Sequence, residues 1–339
     1  MRGPVPDPAV RWGIIGAGNI ARHAVAPAIR ESGNGVLAAV ASRDLQKAQT
    51  IAAEIGAARA HGSYEALLAD PEIDAVYIAT PTGLHEPTVI AAARAGKHVL
   101  CEKALTLERA SATRMRDACD AAGVLLVEAF MYRHHPQWAA IHEVMSSGVL
   151  GEIRSVFAHF HATLGNPNDH RWSAKEGGGT LGDLTCYTVN ACRYILHTEP
   201  IRVVAFADLN TPERVDRMCH AVLEFPGGVL ASIGASLTSV FHQELLVIGT
   251  SGKLTVQKPF IPGDTAPTIR VESGAGAEVR TLCQGNHFLA QVQHFAACAL
   301  DARKSPWPAE NGWANTQALM ALRESWEAAE ITPVPHRSK

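Results

Sequence analysis

The 339-residue sequence lacks the features that mark membrane, secreted and nucleic-acid-binding proteins. No stretch approaches the run of about 18 uncharged apolar residues that a membrane helix needs. The N-terminus has no apolar segment of signal-peptide length, so a cytoplasmic location is the default prediction. A net charge of −3 favours neither nucleic acid nor an anionic membrane surface as a partner.

Cysteine and histidine patterns argue against disulfides and metal sites. The seven cysteines are odd in number and widely spaced, and no C-x-x-C pair occurs. Among the sixteen histidines, the pairs His134-His135 and His159-x-His161 have no carboxylate or cysteine at ligand spacing. We therefore expect no metal site, and we interpret these histidines as packing residues or substrate contacts.

A glycine-containing turn lies close to the N-terminus, in the segment VRWGIIGAGNIA. Residues 11–15 have the length and apolar content of a buried parallel strand, and Gly16 permits a tight turn out of it. Gly18 has no side chain, so a pyrophosphate can approach the backbone at the start of the next helix, near Asn19 and Ile20. Ala21 is the third small residue of the G-x-G-x-x-A pattern, which lets helix and strand pack closely.

Short apolar runs alternate with helical patterns over the first third of the chain, which predicts a doubly wound parallel sheet, the Rossmann fold. This alternation is the context in which the glycine pattern indicates a dinucleotide site, although a plain glycine turn is the simpler alternative. We assign residues 1–129 to a dinucleotide-binding domain. The predicted strands are residues 10–15, 36–41, 75–79, 98–101 and 124–129, with a weaker candidate near 58–61.

The end of the second predicted strand bears on the choice between NADP and NAD. An acidic residue at this position usually binds the ribose 2′-hydroxyl of NAD. Ser42 and Arg43 offer a hydroxyl and a guanidinium instead, which suit a 2′-phosphate, so NADP(H) is favoured. Asp44 leaves NAD(H) possible, although its simpler role is to cap the helix that follows.

Two further strand ends carry polar residues where a cofactor should pass. Thr80, Pro81 and Thr82 follow the strand at 75–79, and we expect them to contact the cofactor, with His85 as a less specific candidate. Glu102 and Lys103 follow the strand at 98–101.

Of these two charged residues, Lys103 is the stronger candidate for a catalytic role. A lysine beside an oxidised nicotinamide would have its pKa lowered and would bond a substrate hydroxyl. The alternative is a surface ion pair between Glu102 and Lys103.

After residue 129 the pattern changes, and a polar loop at residues 165–176 leads to three consecutive glycines and a predicted helix at 180–196. We expect Arg171 and Trp172 of this loop to reach the cofactor. Asp183 and Tyr187 are spaced i,i+4 on the helix, so both lie on one face. A nearby cation, which Lys103 would provide, lowers the pKa of a tyrosine toward catalytic use. The simpler alternative is an ordinary amphipathic helix.

The rest of the chain predicts an α+β domain, residues 130–339, built on a large, mostly antiparallel open sheet. Such a sheet exposes a broad face, and self-association into a homodimer or homotetramer is a usual way to cover it. Two helices, at 287–301 and 313–329, and a disordered tail at 333–339 complete the prediction. The predicted strands are residues 152–162, 201–207, 220–225, 229–236, 243–248, 253–257, 269–272 and 278–282.

The segments GAGNIA, TPTGLH, AGKHVLCEK, EAFMYRHHPQ and GGGTLGDLTCY, in this order, resemble the glucose–fructose oxidoreductase, inositol dehydrogenase and rhizopine-catabolism (Gfo/Idh/MocA) family of NAD(P)-dependent oxidoreductases. The resemblance spans about residues 10–330. It implies that Lys103 lies beside the nicotinamide and the reacting carbon. The D-x-x-x-H pair of the family matches Asp183 and Tyr187, with tyrosine replacing histidine.

That replacement resembles the branch containing glucose–fructose oxidoreductase, NADP-dependent xylose dehydrogenases and dimeric dihydrodiol dehydrogenase, where the tyrosine is the proposed acid/base. The branch also supports NADP. The sequence departs from the family pattern at Ala104, which replaces the proline of E-K-P, and at Gly182 and Thr185 beside the Asp-Tyr pair.

These observations predict an NADP(H)-dependent oxidoreductase acting on a secondary alcohol or ketone of a sugar, cyclitol or sugar derivative. The nearest alternative is a ketoreductase for a nucleotide-linked keto-sugar, which a basic cluster at the pocket mouth would favour. An alternative from another class is a non-catalytic NADP-binding sensor. The presence of Lys103, Asp183 and Tyr187 together disfavours the sensor.

Overall fold

The computed structural model describes residues 9–263, 265–301 and 304–328. The predicted tail at 333–339 and the last residue of the predicted final helix lie outside these ranges. Within them, the strands form two sheets, one parallel with six strands and one mostly antiparallel with eight. Within these ranges, none of the helices combines the length and the apolar character of a membrane span. The His, Cys, Asp and Glu side chains of the same residues form no group of three or more suited to a metal ion.

The first sheet has the strand order β3-β2-β1-β4-β5-β6, and all of its neighbouring strands are parallel. Apolar clusters cover both of its faces, as the nearly continuous apolar strands require. Its elements are β1 (Val10–Ile15), α1 (Ala26–Glu31), β2 (Gly35–Ala41), α2 (Leu45–Ile55), β3 (Arg59–His61), α3 (Tyr64–Leu68), β4 (Ala75–Ile78), α4 (His85–Arg94), β5 (His98–Cys101), α5 (Arg109–Ala122) and β6 (Leu126–Glu128). The weaker strand candidate near 58–61 is therefore present as β3.

The second sheet has the order β14-β13-β12-β11-β7-β10-β9-β8, in which only β7 and β10 of the described neighbours run parallel. One face packs on α6, α7 and α9 around a large apolar cluster, and the opposite face is open. The elements of this part of the chain are α6 (Pro136–Ser146), β7 (Ile153–Thr163), α7 (Cys186–Leu196), β8 (Arg202–Asp208), β9 (Met218–Phe225), β10 (Val229–Ser236), β11 (Thr238–Gly249), β12 (Gly252–Val256), β13 (Thr268–Ser273), β14 (Gly276–Thr281), α8 (His287–Leu300) and α9 (Ala309–Ala328).

Helix α8 packs against the first sheet, although it lies within the predicted second domain. Phe295 of α8 contacts Trp12 of β1, with ring centroids 5.0 Å apart, and belongs to the apolar cluster of that sheet. The chain thus returns to the first sheet after β14 and then forms α9, which contacts α5 and β6 as well as β8 of the second sheet.

Helices α1 and α7 are each preceded by a π-helical turn, where the sequence predicts a regular α-helix. These turns are Ala21–Val25, before α1, and Leu181–Thr185, before α7. The period of the apolar pattern does not distinguish the two helix types over a single turn. Such turns occur frequently at functional sites.

Candidate active site

A cavity of about 410 Å³, here called the Lys103 cavity, opens at the carboxyl ends of β1, β4 and β5. Open α/β sheets bind ligands at this edge. Its walls come from both halves of the chain. They comprise Gly18, Asn19, Ile20, Ala21, Ala79, Thr80, Pro81, Thr82, Glu102, Lys103, Asp169, His170, Arg171, Gly177, Gly178, Gly179, Gly182 and Asp183.

The glycine turn has the geometry that a dinucleotide needs. Gly16 has a φ of +81°, and a Cβ there would lie 2.8 Å from the backbone of Ala79 and Thr80, so only glycine fits. A Cβ at Gly18 would meet no atom within 4 Å, which leaves room for a ligand. Thr80 Oγ1 is buried without a hydrogen-bond partner among the described residues. Open space at Gly18 and an unsatisfied hydroxyl at Thr80 both fit a bound nicotinamide dinucleotide.

Ser42 and Arg43 lie at the carboxyl end of β2, next to β1, and neither is part of the wall of the Lys103 cavity. Arg43 is exposed and has no carboxylate partner in the described part of the chain. Asp44 is the N-cap of α2 and accepts a bond from the Lys47 amide at 2.9 Å. Asp44 therefore has the capping role, whereas Arg43 is available for a ligand.

His85 is buried behind the cavity and does not line it, which corrects the prediction of a direct cofactor contact. Its Nε2 lies 2.9 Å from the Thr80 carbonyl, and its Nδ1 lies 3.1 and 3.0 Å from the carbonyls of Ala104 and Leu105. Burial lowers the pKa of His85. The imidazole ties the end of β4 to the segment after Lys103, so it holds the cavity wall in place.

Glu102 and Lys103 are held separately and do not form the surface ion pair considered as an alternative. Glu102 accepts hydrogen bonds from the Tyr77 hydroxyl at 2.5 Å and from the Lys103 amide at 3.2 Å. Burial raises the pKa of Glu102, and the charge of Lys103 opposes this effect. The Lys103–Ala104 peptide bond is cis, and the Ala104 amide donates to the Gly182 carbonyl at 3.2 Å.

Lys103 begins a chain of alternating charges across the cavity. Its ammonium donates to Asp183 Oδ1 at 2.7 Å and to the Asp183 carbonyl at 2.8 Å. The other carboxylate oxygen of Asp183 lies 2.8 Å from Nε of Arg171. Arg171 in turn contacts both carboxylate oxygens of Asp169 at 3.2 Å. Arg171 is thus in the predicted cavity, where it clamps Asp183 between two cations.

These ion pairs determine the protonation of the cluster. Burial favours the neutral form of Lys103, but the Asp183 carboxylate outweighs it and raises the pKa of Lys103 above its usual range. Burial likewise opposes ionisation of Asp183, and Lys103 with Arg171 outweighs it, so the pKa of Asp183 is lowered. Lys103 is therefore a charged hydrogen-bond donor that Asp183 orients.

Tyr187 lies at the start of α7, with its ring against Lys103. Lys103 Nζ is 4.9 Å from the ring centroid, and the Tyr187 hydroxyl donates to Sδ of Met131 at 3.3 Å. Burial raises the pKa of Tyr187, and the charge of Lys103 only partly opposes it. The predicted lowering of this pKa is wrong for the net shift. Lys103 does lower the pKa of Tyr187, as predicted, but burial raises that pKa by more.

The triple glycine allows the β8–β9 loop to hold the helix that carries Asp183. Gly179 has a φ of +100°, and a Cβ there would lie 2.0 Å from Asp216 Oδ1. Asp216 accepts bonds from Thr180 Oγ1 at 2.5 Å and from the Leu181 amide at 2.7 Å. Sequence reasoning missed Asp216 and the roles of Tyr77 and Asp169. Each of them acts through a contact distant in sequence, and no local pattern marks it.

Trp172 does not line the Lys103 cavity. It lies in a neighbouring cavity on the other side of Asp169 and His170. Its indole N–H donates to the Asn166 carbonyl at 3.1 Å, and its ring packs against the core of the second domain. The walls of the Lys103 cavity therefore give no support to the predicted cofactor contact of Trp172, because Arg171 and Trp172 of the 3₁₀ turn His170–Trp172 line different cavities.

Comparison with known proteins agrees with this architecture. The family described as an oxidoreductase family with an NAD-binding Rossmann fold matches residues 10–130, and the GFO/IDH/MocA C-terminal domain matches residues 138–255. D-xylose 1-dehydrogenase (NADP(+)) 2 of Haloferax volcanii is 41% identical over 256 residues, which cover 75% of this chain and 78% of that protein.

Two further relatives match over nearly the whole chain. A dTDP-3,4-didehydro-2,6-dideoxy-alpha-D-glucose 3-reductase of Streptomyces violaceoruber is 32% identical over 333 residues, covering 98% of this chain and 97% of that protein. The crystal structure of a 3-ketoreductase from Actinomadura kijaniata, in complex with NADP and TDP-benzene, has a TM-score of 0.87 and 30% identity, covering 94% of this chain and 98% of that chain. The protein is thus an oxidoreductase, and the chain belongs to the Gfo/Idh/MocA family.

Proposed function

We propose that this protein is an NADP(H)-dependent oxidoreductase acting on a secondary alcohol or ketone of a sugar, cyclitol or sugar derivative. The observation that carries the proposal is the meeting of Lys103, Asp183 and Tyr187 beside a cavity whose opposite wall is the glycine turn. A xylose dehydrogenase with NADP and a ketoreductase with bound NADP among the relatives support both the chemistry and the cofactor.

Residues of the cavity wall and of the neighbouring strand ends would hold the cofactor. Gly16 and Gly18 would admit the pyrophosphate, and Thr80 Oγ1 would gain the partner it lacks. Ser42 and Arg43 would bind a 2′-phosphate, which favours NADP over NAD. Asn19, Ile20, Pro81 and Thr82 belong to the same wall and complete the contact surface. When bound, the cofactor supplies or accepts the hydride.

In the direction of reduction, Tyr187 would give its phenolic proton to the carbonyl oxygen of the substrate. Lys103 would donate a hydrogen bond to the same oxygen, and Asp183 would hold the Lys103 ammonium in position. In the direction of oxidation, the Tyr187 phenolate would take the hydroxyl proton, and Lys103 would stabilise that phenolate. Arg171 would keep Asp183 ionised in both directions.

The second candidate is a ketoreductase for a nucleotide-linked keto-sugar. The near full-length similarity to a dTDP-keto-sugar 3-reductase favours it. The cavity that contains Trp172 opposes it, because Glu176 and Glu213 line that cavity and its guanidinium, Arg217, is already paired with Asp208. A basic cluster would be needed to attract a pyrophosphate.

We also propose a homo-oligomer formed through the open face of the second sheet. Val204, Phe206, Val222 and Leu230 project from that face, each with 44% to 59% of its surface exposed. A contiguous apolar area of this kind is typical of a protein interface. A cytoplasmic location fits a chain in whose described part no two cysteines form a disulfide.

Replacing Tyr187 with phenylalanine tests the proposal. We expect turnover of pentoses, hexoses or cyclitols with NADP(H) to fall about 100- to 10,000-fold, because a positioned acid/base contributes that much. The Kd for NADPH, measured by fluorescence titration, should hardly change. Tyr194→Phe is the matched control, since Tyr194 lies two turns further along α7, away from the Lys103 cavity.

Three outcomes separate the candidates. Unchanged turnover in Tyr187→Phe would remove the acid/base role. Activity on dTDP-linked sugars without activity on free sugars would decide for the ketoreductase. Tight NADPH binding by the native protein with no turnover on either class would decide for a non-catalytic sensor.

A further inference from the structure

The cavity that contains Trp172 adjoins the candidate active site. It has a volume of about 720 Å³ and lies between the loop after β7 and the loop between β8 and β9. Asp169 and His170 line both this cavity and the Lys103 cavity, so one residue pair separates the two spaces. The two cavities are therefore neighbours, and a ligand bound beside Lys103 would lie close to the Trp172 cavity.

The walls of the Trp172 cavity are fixed by contacts of their own. The Trp172 indole is held by its bond to Asn166 and by the core behind it. Glu213 accepts a bond from the Ala174 amide at 2.7 Å, which joins the two loops. Arg217 Nε donates to Asp208 at 2.7 Å. Because the loops are tied together, the cavity is built before a ligand arrives, which reduces the entropy cost of binding.

The chemistry of these walls matches a sugar ring. An aromatic ring offers a flat apolar surface for the C–H face of a pyranose. The carboxylates of Asp169 and Glu213, the amide of Asn168 and the guanidinium of Arg217 are planar groups that accept from or donate to hydroxyls. A few such polar groups around an apolar surface are what orients a small ligand in a pocket.

The charges of the cavity oppose a phosphorylated or nucleotide-linked ligand. Asp169, Glu176 and Glu213 line the cavity, and of these three carboxylates Asp169 is paired with Arg171. The guanidinium of Arg217 is already paired with Asp208. A pyrophosphate placed here would meet the negative charges of Glu176 and Glu213, which disfavours it against a neutral ligand.

We propose that the Trp172 cavity is a binding subsite for an uncharged second sugar ring, so that the substrate is a disaccharide or another neutral glycoside. The reacting ring would lie at Lys103 and Tyr187, and the attached ring would stack on Trp172. This inference rests on the proposed function, because it assumes that a sugar reacts at Lys103. It assigns to Trp172 a role in substrate specificity in place of cofactor binding.

Steady-state kinetics with NADP⁺ test this subsite. The substrates are cellobiose, maltose and lactose, with glucose and galactose as single rings and dTDP-glucose as the charged comparison. In the native protein we expect the best disaccharide to exceed its single ring at least tenfold in kcat/KM. Trp172→Leu should lower kcat/KM for that disaccharide about 10- to 100-fold and for the single ring less than threefold.

Two variants keep the result interpretable. Trp172→Phe retains an aromatic face and should keep most of the disaccharide preference. Trp313→Leu is the matched control, because Trp313 is also a half-buried tryptophan with its indole N–H bonded, here to Thr113 at 3.1 Å. It lies on α9, outside both cavities, so its loss should leave the preference unchanged.

The outcomes separate this inference from the proposed function. Equal losses for disaccharide and single ring in Trp172→Leu would overturn the subsite while leaving the oxidoreductase intact. A native preference for dTDP-glucose would also overturn it. If no sugar is turned over, the proposed function fails and calorimetry with cellobiose decides the subsite. Binding that is lost in Trp172→Leu supports the subsite, and absence of binding to the native protein refutes it.

Discussion

Replacing Glu128 with glutamine is expected to remove a loss of stability that the native protein suffers as pH rises. Glu128 ends β6, is 6% exposed and accepts a bond from the Leu105 amide at 2.8 Å through Oε1. Its Oε2 is buried without a partner among the described residues. Burial raises the pKa of Glu128 to about 7, although Arg133 and Arg193 oppose the shift.

The direction and the size of the expected change in the free energy of unfolding follow from this pKa. A carboxyl whose pKa is higher in the folded protein than its ordinary value of 4.5 binds its proton more tightly when folded. Its contribution to stability is complete below pH 4.5 and is lost as pH rises through 7. The difference of about 2.5 pKa units corresponds to about 3 kcal/mol in the free energy of unfolding. Glutamine cannot ionise, and its carbonyl oxygen can still accept from the Leu105 amide.

Urea unfolding of the native protein and of Glu128→Gln at pH 5, 6, 7 and 8 measures the effect. The native curve should fall relative to the variant by about 3 kcal/mol over this range. Buried Asp216, whose pKa is raised to about 6, titrates in both proteins and cancels in the difference. Glu86→Gln is the control, because Arg114 lowers the pKa of Glu86 from 4.5, so its contribution to stability hardly changes between pH 5 and 8 and its curve should run parallel to the native one. Parallel curves for the native protein and Glu128→Gln would refute the reasoning.

Two further substitutions address the cofactor and the oligomer. Arg43→Ala should raise the Kd for NADPH about 10- to 100-fold, the value of a charge-assisted bond to the 2′-phosphate, and leave that for NADH nearly unchanged. An equal change in the Kd values for NADPH and NADH would show that Arg43 does not bind the 2′-phosphate. Phe206→Glu should convert the oligomer to monomer in size-exclusion chromatography with light scattering. Leu45→Glu, at a comparably exposed apolar residue of α2, should not.

The first sheet was predictable because its strands are buried on both faces and its helices end at glycines. Gly56 and Gly123 each follow the last residue of a helix with a left-handed φ, as their positions after α2 and α5 indicate. The alternation of the pattern and the loops between the elements then determine a parallel sheet. The sequence analysis brings Lys103 to the helix of Asp183 and Tyr187 only as the cation that Tyr187 would need, because no local pattern links residues 80 positions apart.

The sequence does not predict side-chain directions in irregular segments. Arg171 and Trp172 are adjacent, and their separation into two cavities depends on a short 3₁₀ turn held by Asp169. His85 was misplaced for a related reason, since only the folded chain shows three carbonyl oxygens around its ring. In each case the decisive contact is formed by backbone groups, which carry no residue-type signal.

The raised pKa of Tyr187 could not be predicted from the sequence either, because it results from burial, which depends on how distant segments pack. Phe130, Phe160 and Phe260 surround the ring from three separate segments, with centroids 5.3 to 5.5 Å away. This apolar shell outweighs the charge of Lys103 and keeps the phenol protonated. Lys103 is protonated as well, since Asp183 raises its pKa. In the proposed mechanism two protonated donors would suit a carbonyl oxygen directly, whereas oxidation of an alcohol would first require Tyr187 to lose its proton. We therefore expect the rate of oxidation, measured with NADP⁺, to rise with pH.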